Sequence, residues 1–146
     1  MRDWSDWWAV HELLTDAFAG MHDRIDPPSS LLRMDTEALS RSGAPLAAVD
    51  GSRLIGCLVM TPKAPALYLS KLAVATEARR SGIAAQLINA AAAEARARGL
   101  GWLELQTRVE LIENHRTFEA LGFAEVGRTA HPGYDRPTSI TYRRRA

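Results

Sequence analysis

The chain has 146 residues, a length that suits a single domain over residues 1–146 with a hydrophobic core of its own. Apolar residues make up 47% of the sequence, which excludes a disordered chain, and a formal net charge of +1 is too small to indicate general nucleic-acid binding. The single cysteine, Cys57, excludes a disulfide framework within the chain, and no apolar run approaches the roughly 20 residues that cross a bilayer, so we expect a cytoplasmic protein with no membrane partner.

The first segment with a clear period is 4–21, where apolar side chains recur at the spacing of one helix face. Three of them, Trp4, Trp7 and Trp8, are crowded enough to suggest a partner surface. Consecutive prolines then make residues 24–30 a loop. A short helix is expected after it, over residues 36–41.

The period next changes to that of strands. Residues 46–49 and 54–60 are predicted to be two strands, and the Asp50-Gly51 pair between them is a strong hairpin signal. Pro62 and Pro65 are expected to end the second strand. Residues 67–74 are predicted to form a third strand, central in the sheet.

The second half of the chain alternates helices and strands. The predicted elements are a helix over 81–98, a strand over 102–107, a short helix over 114–121, and a closing strand pair over 124–130 and 138–144. Gly99 and Gly122 are typical of helix ends. The basic end of the chain, Arg143 to Arg145, is expected to be a solvated tail.

This order of elements implies an α/β or α+β domain with a mixed sheet. The strand, helix and strand between residues 67 and 107 should form a parallel pair joined by a right-handed crossover. Such a unit places the start of its helix beside the C-terminal end of the first strand, which is where open α/β sheets bind ligands.

The residues just ahead of that helix, Arg79-Arg80-Ser81-Gly82, allow two interpretations. Either Ser81 caps the helix and the arginines are solvated, or the loop and the helix start form a cradle for an anion such as phosphate. The loop is not an NTPase P-loop, because no Lys-Ser or Lys-Thr pair follows the glycine. It is not a dinucleotide fingerprint either, because it holds only one glycine.

The pattern Arg79-x-x-Gly82-x-Ala84 resembles the corresponding loop of the GNAT superfamily of acyl-CoA N-acyltransferases. Leu72-Ala73-Val74 resembles the strand end that precedes this loop in the family, and residues 114–123 resemble the family's asparagine-containing helix that ends in Gly-Phe. The three features occur in the family's order and spacing, from about residue 46 to the C terminus. The resemblance favours the anion cradle over the simple cap.

The resemblance implies a mixed, mostly antiparallel sheet with a splayed central pair of parallel strands, flanked by helices. The family's first strand normally precedes the first helix, but here that helix begins almost at Met1, so this strand is expected to be missing or very short. The sheet edge is then open or completed by another chain. Together with the tryptophans, this favours a homodimer.

The resemblance also implies acetyl-CoA as co-substrate, whose acetyl group moves directly to an amine. Main-chain groups of Leu72 and Val74 would contact the pantetheine arm, and Asn114 and Phe118 would line the same channel. The residues that would wrap the CoA pyrophosphate are Arg79, Arg80, Ser81, Gly82, Ile83 and Ala84.

Amide formation needs a base for the substrate ammonium. Glu104 is the first candidate, because it lies on a strand that the family splays. The alternative interpretation is that Glu104 is simply a solvent-facing residue of that strand. Glu110 and Glu113 precede or begin the short helix and could face the acceptor. His115 is a further candidate, with a plain surface residue as its alternative.

Many members of the family carry a tyrosine, the usual proton donor to the departing thiolate, where this chain has Phe118. The loop 131–137 borders the acceptor site in the family, so Tyr134 or His131 is a candidate replacement. Solvent is the remaining source of the proton, because a thiol of pKa roughly 8.5 is a weak enough base to leave as thiolate.

The acceptor is expected to be a small-molecule amine or a peptide amino group. Its walls would include the loop after the first helix, and the substrate-binding candidates are Arg24, Asp26, Ser29, Ser30, Glu110 and His131. No histidine pair has zinc spacing, so no metal is expected. Two other classes of function stay open: a non-catalytic acyl-CoA sensor, because Phe118 lacks a proton to give, and an interaction module using the tryptophan-rich helix.

Overall fold

The computed structural model describes residues 2–3, 7–18, 26, 41 and 43–146. In chain order its elements are β1 (Arg2–Asp3), α1 (Trp7–Phe18), β2 (Ala44–Asp50), β3 (Arg53–Lys63), β4 (Ala66–Val74), a 3-10 turn (Thr76–Ala78), α2 (Ile83–Ala97), β5 (Trp102–Arg108), α3 (Ile112–Ala120), β6 (Ala124–Thr129) and β7 (Ser139–Arg145). The short helix predicted over 36–41 lies outside the described residues, apart from Arg41. None of the described helices is both long enough and apolar enough to cross a membrane.

The strands form one sheet in the order β1-β2-β3-β4-β5-β7-β6. Among the described strands, only β4 and β5 run parallel and every other pair is antiparallel, so the predicted mixed sheet with a central parallel pair is confirmed. The first strand is present and very short: within the part of the chain that the structure describes, β1 has two residues, opposite Leu46 and Ala47 of β2. Of the two alternatives expected for this strand, missing or very short, the structure confirms the very short one.

The hairpin between β2 and β3 forms where the sequence predicted it. Asp50 pairs with Arg53 around a two-residue turn, in which Gly51 has a φ of 63° that favours glycine. The expectation that Pro62 ends the second strand is wrong, because β3 continues through it to Lys63. The proline is tolerated since β2 begins opposite Met60, so Pro62 has a strand neighbour on its β4 side alone.

Helices cover both faces of the sheet. The larger core cluster surrounds α2 and includes Leu58, Met60, Leu67, Leu87, Ile88 and Leu103. A smaller cluster under α1 contains Val10, Leu14, Cys57 and Ala73. Cys57 and Leu58 are adjacent on β3 and so face opposite sides of the sheet. Burial raises the pKa of the Cys57 thiol to about 12, so this cysteine is a core residue and not a nucleophile.

The tryptophans of the first helix differ in their surroundings. Trp7 packs against the α1 cluster, Trp8 is 63% exposed, and Trp4 lies outside the described residues. The homodimer stays a prediction.

The basic end of the chain is not a solvated tail, and that expectation is wrong. Arg143 forms an ion pair with Glu104 at 2.8 Å, and Arg144 donates from one guanidinium nitrogen to the Leu121 carbonyl at 3.0 Å. The Arg145 guanidinium lies 4.5 Å from the centre of the Trp102 ring. These contacts follow from β7 extending to Arg145, which lays Arg143 and Arg145 against β5 and Arg144 against the end of α3.

Candidate active site

A bulge in β4 opens the sheet between the two parallel strands. Cys57 pairs with Ala73 and Val59 with Ser70, so two residues of β4, Lys71 and Leu72, stand opposite the single residue between them on β3. Lys71 adopts a φ of 54°, which is uncommon for a residue with a side chain. The bulge kinks β4 away from its parallel neighbour.

The opening begins immediately before this bulge. The pairing of β4 with β5 runs from Ala66 opposite Trp102 to Leu69 opposite Leu105 and then stops. Beyond that point β5 pairs only with β7 among the described strands, and β4 only with β3. The C-terminal halves of β4 and β5 therefore diverge, leaving main-chain groups between them available to a ligand.

The start of α2 lies beside the C-terminal end of β4, and its N-cap residue offers no side chain to cap it. Gly82 is the residue at the N-cap, with φ 82° and ψ 11°, and it makes no side-chain cap. The hydroxyl of Ser81 donates instead to the Ala78 carbonyl. The simple interpretation of Ser81 as a cap is therefore wrong. The first N–H groups of α2 are left to another partner, at the positive end of the helix dipole.

The loop around the helix start has room for a ligand. A side chain built on Gly82 would meet nothing within 4 Å. Arg79, Arg80 and Ser81 are exposed, while Ile83 and Ala84 are half-buried. Open space, two cations and free N–H groups together can hold an anion.

Gly56 on β3 fixes the depth at which α2 sits on the sheet. A Cβ atom at this position would lie 2.8 Å from Ile83 Cγ2 and 3.2 Å from Leu87 Cδ1. Only a residue without a side chain lets the first turn of α2 approach β3 so closely. Gly56 therefore helps to place the helix start at the mouth of the opening.

The other residues expected to contact the cofactor border the same region. Val74 accepts a hydrogen bond at its carbonyl from Arg79 Nε at 3.3 Å, which ties the loop to the strand end, and Leu72 packs against the α2 core. The Asn114 amide nitrogen lies 3.4 Å from the hydroxyl oxygen of Thr107, on the diverging half of β5. Phe118 is a core residue, 8% exposed, with its ring edge-on to Phe123 at 6.0 Å.

Glu104 does not lie where the base was expected. It sits opposite Tyr68, in the half of the parallel pair that stays hydrogen-bonded, and its side chain is buried. Its two oxygens accept hydrogen bonds from Lys63 at 3.0 Å and Arg143 at 2.8 Å. Burial would raise its pKa, but the bonds from the two cations outweigh burial and hold that pKa below its usual value. The expectation of a solvent-facing residue is wrong, and the carboxylate lies outside the splayed gap in which a base was expected.

We therefore expect Glu104→Gln to weaken the fold and leave catalysis intact. Losing the charge from two hydrogen bonds should lower the free energy of unfolding by about 1–3 kcal/mol at pH 7, since Lys63 and Arg143 are themselves partly exposed. Because the folded pKa is depressed, this stabilisation is present above the unfolded pKa of roughly 4.3 and is lost as pH falls through the folded value. Urea unfolding of both proteins from pH 7 down to pH 3 measures it.

Glu125→Gln is the matched control for this charge, because Glu125 pairs with Arg128 at 3.0 Å on the exposed edge strand β6. Glu125→Gln should lower the free energy of unfolding measurably less than Glu104→Gln does. Equal losses from the two variants would contradict a stabilising role for the buried carboxylate.

A polar cluster lies beyond the C-terminal end of β5, and we call it the Asp26 cluster: Asp26, Arg108, Glu110, Tyr134 and Arg136. Tyr134 donates its hydroxyl proton to Asp26 Oδ1 at 2.6 Å, and Arg136 reaches Asp26 Oδ2 at 3.3 Å. The Asp26 N–H donates to Glu110 Oε2 at 3.0 Å. One residue of the first loop is thus bonded both to the loop 131–137 and to the chain after β5.

The hydrogen bond to Asp26 changes what Tyr134 can do. This bond, reinforced by partial burial and the negative charge, raises the pKa of the phenol above its usual value. The proton of Tyr134 is committed to a carboxylate, and its raised pKa makes it a weaker acid. Both facts weigh against Tyr134 as the donor to a departing thiolate.

The two candidate histidines are also held by hydrogen bonds. His115 Nε2 faces the Arg108 carbonyl at 2.9 Å, so that nitrogen donates and helps to fasten α3 to β5. His131 contacts the buried Thr138 through its Nδ1 atom and, at 2.9 Å, through its main-chain N–H. Burial, and then the charge of Arg108, lower the pKa of His131, so its ring is neutral near pH 7.

The remaining acceptor candidates divide into two groups. Arg24, Ser29 and Ser30 lie outside the described residues, whereas Glu110 lies in the Asp26 cluster at the same end of the sheet as the strand opening. Within the described part of the chain, His, Cys, Asp and Glu side chains form no group that could hold a metal ion.

Sequence reasoning missed three features of this region. Asp26 is a predicted wall residue of the acceptor site, but nothing in its sequence position indicates that Tyr134 and Arg136 meet on it. The bulge at Lys71 and the close approach at Gly56 gave no recognised signal either. An isolated glycine inside a predicted strand is the one available hint of a close backbone approach.

Comparison with known proteins identifies the class. The sequence model of the Acetyltransferase (GNAT) family matches residues 7–123, which is most of the chain. The chain therefore belongs to the GNAT family of acetyltransferases. Among curated proteins, none matches it.

Solved structures show the same fold. The ribosomal-protein-S18-alanine N-acetyltransferase from Escherichia coli matches with a TM-score of 0.71 at 17% identity, over 99% of this chain and 91% of that one. An aminoglycoside 6′-N-acetyltransferase complexed with coenzyme A matches with a TM-score of 0.75 at 17% identity, over 99% of this chain and 95% of that one. A GNAT-family acetyltransferase from Staphylococcus aureus Mu50 matches with a TM-score of 0.74 at 14% identity, over 99% of this chain and 96% of that one. Their low identity makes them evidence for the fold alone.

Proposed function

We propose that the protein transfers the acetyl group of acetyl-CoA directly to a primary amine of a small molecule or a peptide. The observation that carries this proposal is the strand opening beside an uncapped helix start, in a chain that belongs to an acetyltransferase family. An elongated ligand with an anionic middle and a polar arm fits that combination. Acetyl-CoA has such a shape and supplies the thioester.

The loop residues would hold the pyrophosphate. The free N–H groups at the start of α2 point their dipole at the open space over Gly82, and Arg79 and Arg80 add positive charge. The pantetheine arm would then lie along the diverging part of β4. Unpaired main-chain groups there would bond the arm's amides, as strands bond to one another.

The reaction requires four events at one carbonyl. A base takes one proton from the acceptor ammonium, and the freed nitrogen lone pair attacks the thioester carbon. The C–S bond breaks as the sulfur leaves as thiolate, and the nitrogen gives its second proton to solvent. Main-chain N–H groups at the β4 bulge would polarise the carbonyl oxygen. Phe118 is part of the apolar core beside this region and has no proton to give.

We expect solvent to protonate the thiolate, so Tyr134→Phe should change kcat by less than about threefold at every pH. A positioned acid is typically worth about a hundredfold to ten-thousandfold, so the two cases separate clearly. The variant should instead raise the KM of the amine modestly, because it releases the loop 131–137 from Asp26. Steady-state kinetics of both proteins across pH distinguishes solvent from Tyr134 as the proton donor. A fall in kcat of about a hundredfold in Tyr134→Phe would identify Tyr134 as the acid.

The acceptor panel follows from the solved relatives, which are named for an alanine of ribosomal protein S18 and for an aminoglycoside. We propose testing an alanine-starting peptide, a lysine-containing peptide and an aminoglycoside, with release of the CoA thiol as readout. Thiol release that depends on one of the amines supports the proposal. Binding of acetyl-CoA without amine-dependent release from any of them would favour the non-catalytic sensor.

A further inference from the structure

Glu110 carries a buried carboxylate oxygen that has no hydrogen-bond partner. Its Oε2 atom accepts the Asp26 N–H at 3.0 Å, but Oε1 is shielded from solvent and meets no donor in the described part of the chain. A buried polar atom without a partner costs free energy, and native proteins rarely keep one without a reason. An ionised carboxylate is costlier still, so this oxygen calls for a donor that arrives with a ligand.

The neighbouring charges do not remove that requirement. Asp26, the other carboxylate of the cluster, is already bonded to Tyr134 and Arg136. His131 is close enough for Glu110 to influence it, but its ring is neutral near pH 7. Arg108 also interacts with Glu110 electrostatically, yet it leaves Oε1 without a hydrogen bond.

The position of Glu110 relates it to the proposed reaction. It lies two residues beyond the end of β5, and the main chain beside it is fixed by the bond from the Val109 N–H to the Thr138 carbonyl at 3.0 Å. Since β4 and β5 are parallel, this is also the end at which they diverge and at which α2 begins. A group bound at Glu110 would therefore approach the strand opening from the side of the Asp26 cluster.

We propose that Glu110 Oε1 binds the protonated amino group of the acceptor. This inference rests on the proposed function and narrows it: the acceptor is recognised as a primary ammonium, one of whose N–H groups satisfies the open oxygen. Asp26 is then a positioning residue, because its N–H holds the other oxygen of the same carboxylate, while Tyr134 and Arg136 hold Asp26. The proposed contact fixes the nitrogen at the mouth of the opening before it loses its proton.

The test is a kinetic comparison of wild type, Glu110→Gln and Glu119→Gln, using whichever of the three panel amines wild type turns over fastest. Glu119 is exposed on α3, so its variant removes the same charge without the buried oxygen. Loss of a charge-assisted hydrogen bond should raise the KM of the amine about tenfold to hundredfold in Glu110→Gln, with a smaller change in kcat. Glu119→Gln should match wild type, and calorimetry should give all three the same affinity for acetyl-CoA.

A second variant protects the test against misfolding. Glu110→Asp keeps the charge one methylene shorter, so it should recover part of the lost affinity for the amine. A KM in Glu110→Gln equal to that of Glu119→Gln would overturn the inference while leaving the proposed function in place. If wild type binds acetyl-CoA and acetylates none of the three amines, the proposed function fails and the inference fails with it.

Discussion

Replacing Gly82 by aspartate should lower the affinity for acetyl-CoA about a hundredfold. The new carboxylate would project into the open space where the pyrophosphate is expected, at the uncapped start of α2. A unit charge about 6 Å from a phosphate costs roughly 2.8 kcal/mol at the effective dielectric constant of about 20 that suits a protein surface. That energy corresponds to about two decades in Kd, measured by calorimetry with acetyl-CoA.

Gly82→Asn is the matched control, because asparagine has the same shape without the charge. Both residues tolerate the left-handed conformation that the φ of 82° demands, so backbone strain is similar in the two variants. The asparagine variant should bind acetyl-CoA no more than several-fold more weakly than wild type. Equal affinities in wild type, Gly82→Asp and Gly82→Asn would contradict the assignment of this loop as the anion cradle.

The second large effect is expected at Gly56, which no predicted ligand contact includes. Gly56→Val would drive side-chain atoms into Ile83 and Leu87, because even the Cβ atom alone would lie 2.8 Å from Ile83 Cγ2. Overpacking of this kind typically costs about 1–3 kcal/mol. Since the first turn of α2 must move to relieve it, we also expect acetyl-CoA to bind at least about tenfold more weakly. Urea unfolding and calorimetry give the two quantities.

The control here is Gly127→Val on the edge strand β6, where a Cβ atom would meet nothing within 4 Å. Valine suits a strand, so this variant should keep both stability and affinity. If Gly56→Val destabilises the protein but binds acetyl-CoA as wild type does, the position of the α2 start is not set by its contact with β3.

Most of the fold could be predicted from sequence patterns that are local to one element or one turn. The hairpin at Asp50-Gly51, the periodic helix closed by Gly99 and the strand–helix–strand unit each depend on residues close together in sequence. Those signals act within one element or one turn, so a single sequence reveals them. The parallel pairing of β4 and β5 then followed from the handedness and length of the connection.

The candidate site was predictable only where one loop forms it. The cradle at residues 79–84 is contiguous and so could be recognised, whereas Glu104 meets Lys63 and Arg143, which lie 41 and 39 residues away. Asp26 and Tyr134 are separated by 108 residues. Which charges neutralise one another depends on strand register and loop packing, and those are properties of the whole sheet.

The bulge at Lys71 shows the same limit. Its position decides where β4 leaves β5, and it also turns Ala73 toward α1 while Leu67 and Leu69 face α2. Strict alternation from Leu67 would have placed all three on one face. Only the resemblance predicts the splayed geometry. The sequence does not indicate where the pairing of β4 with β5 ends, and so it does not separate Glu104 from the opening.

The most direct test of acetyl transfer is to follow the acetyl group itself. We would incubate the protein with acetyl-CoA carrying a deuterated acetyl group and the three amines of the panel, and examine each amine by mass spectrometry. The account predicts that wild type attaches the labelled acetyl group to at least one of them, and that Gly82→Asp at the same acetyl-CoA concentration produces far less. Wild-type protein that binds acetyl-CoA but leaves every amine unlabelled would contradict it.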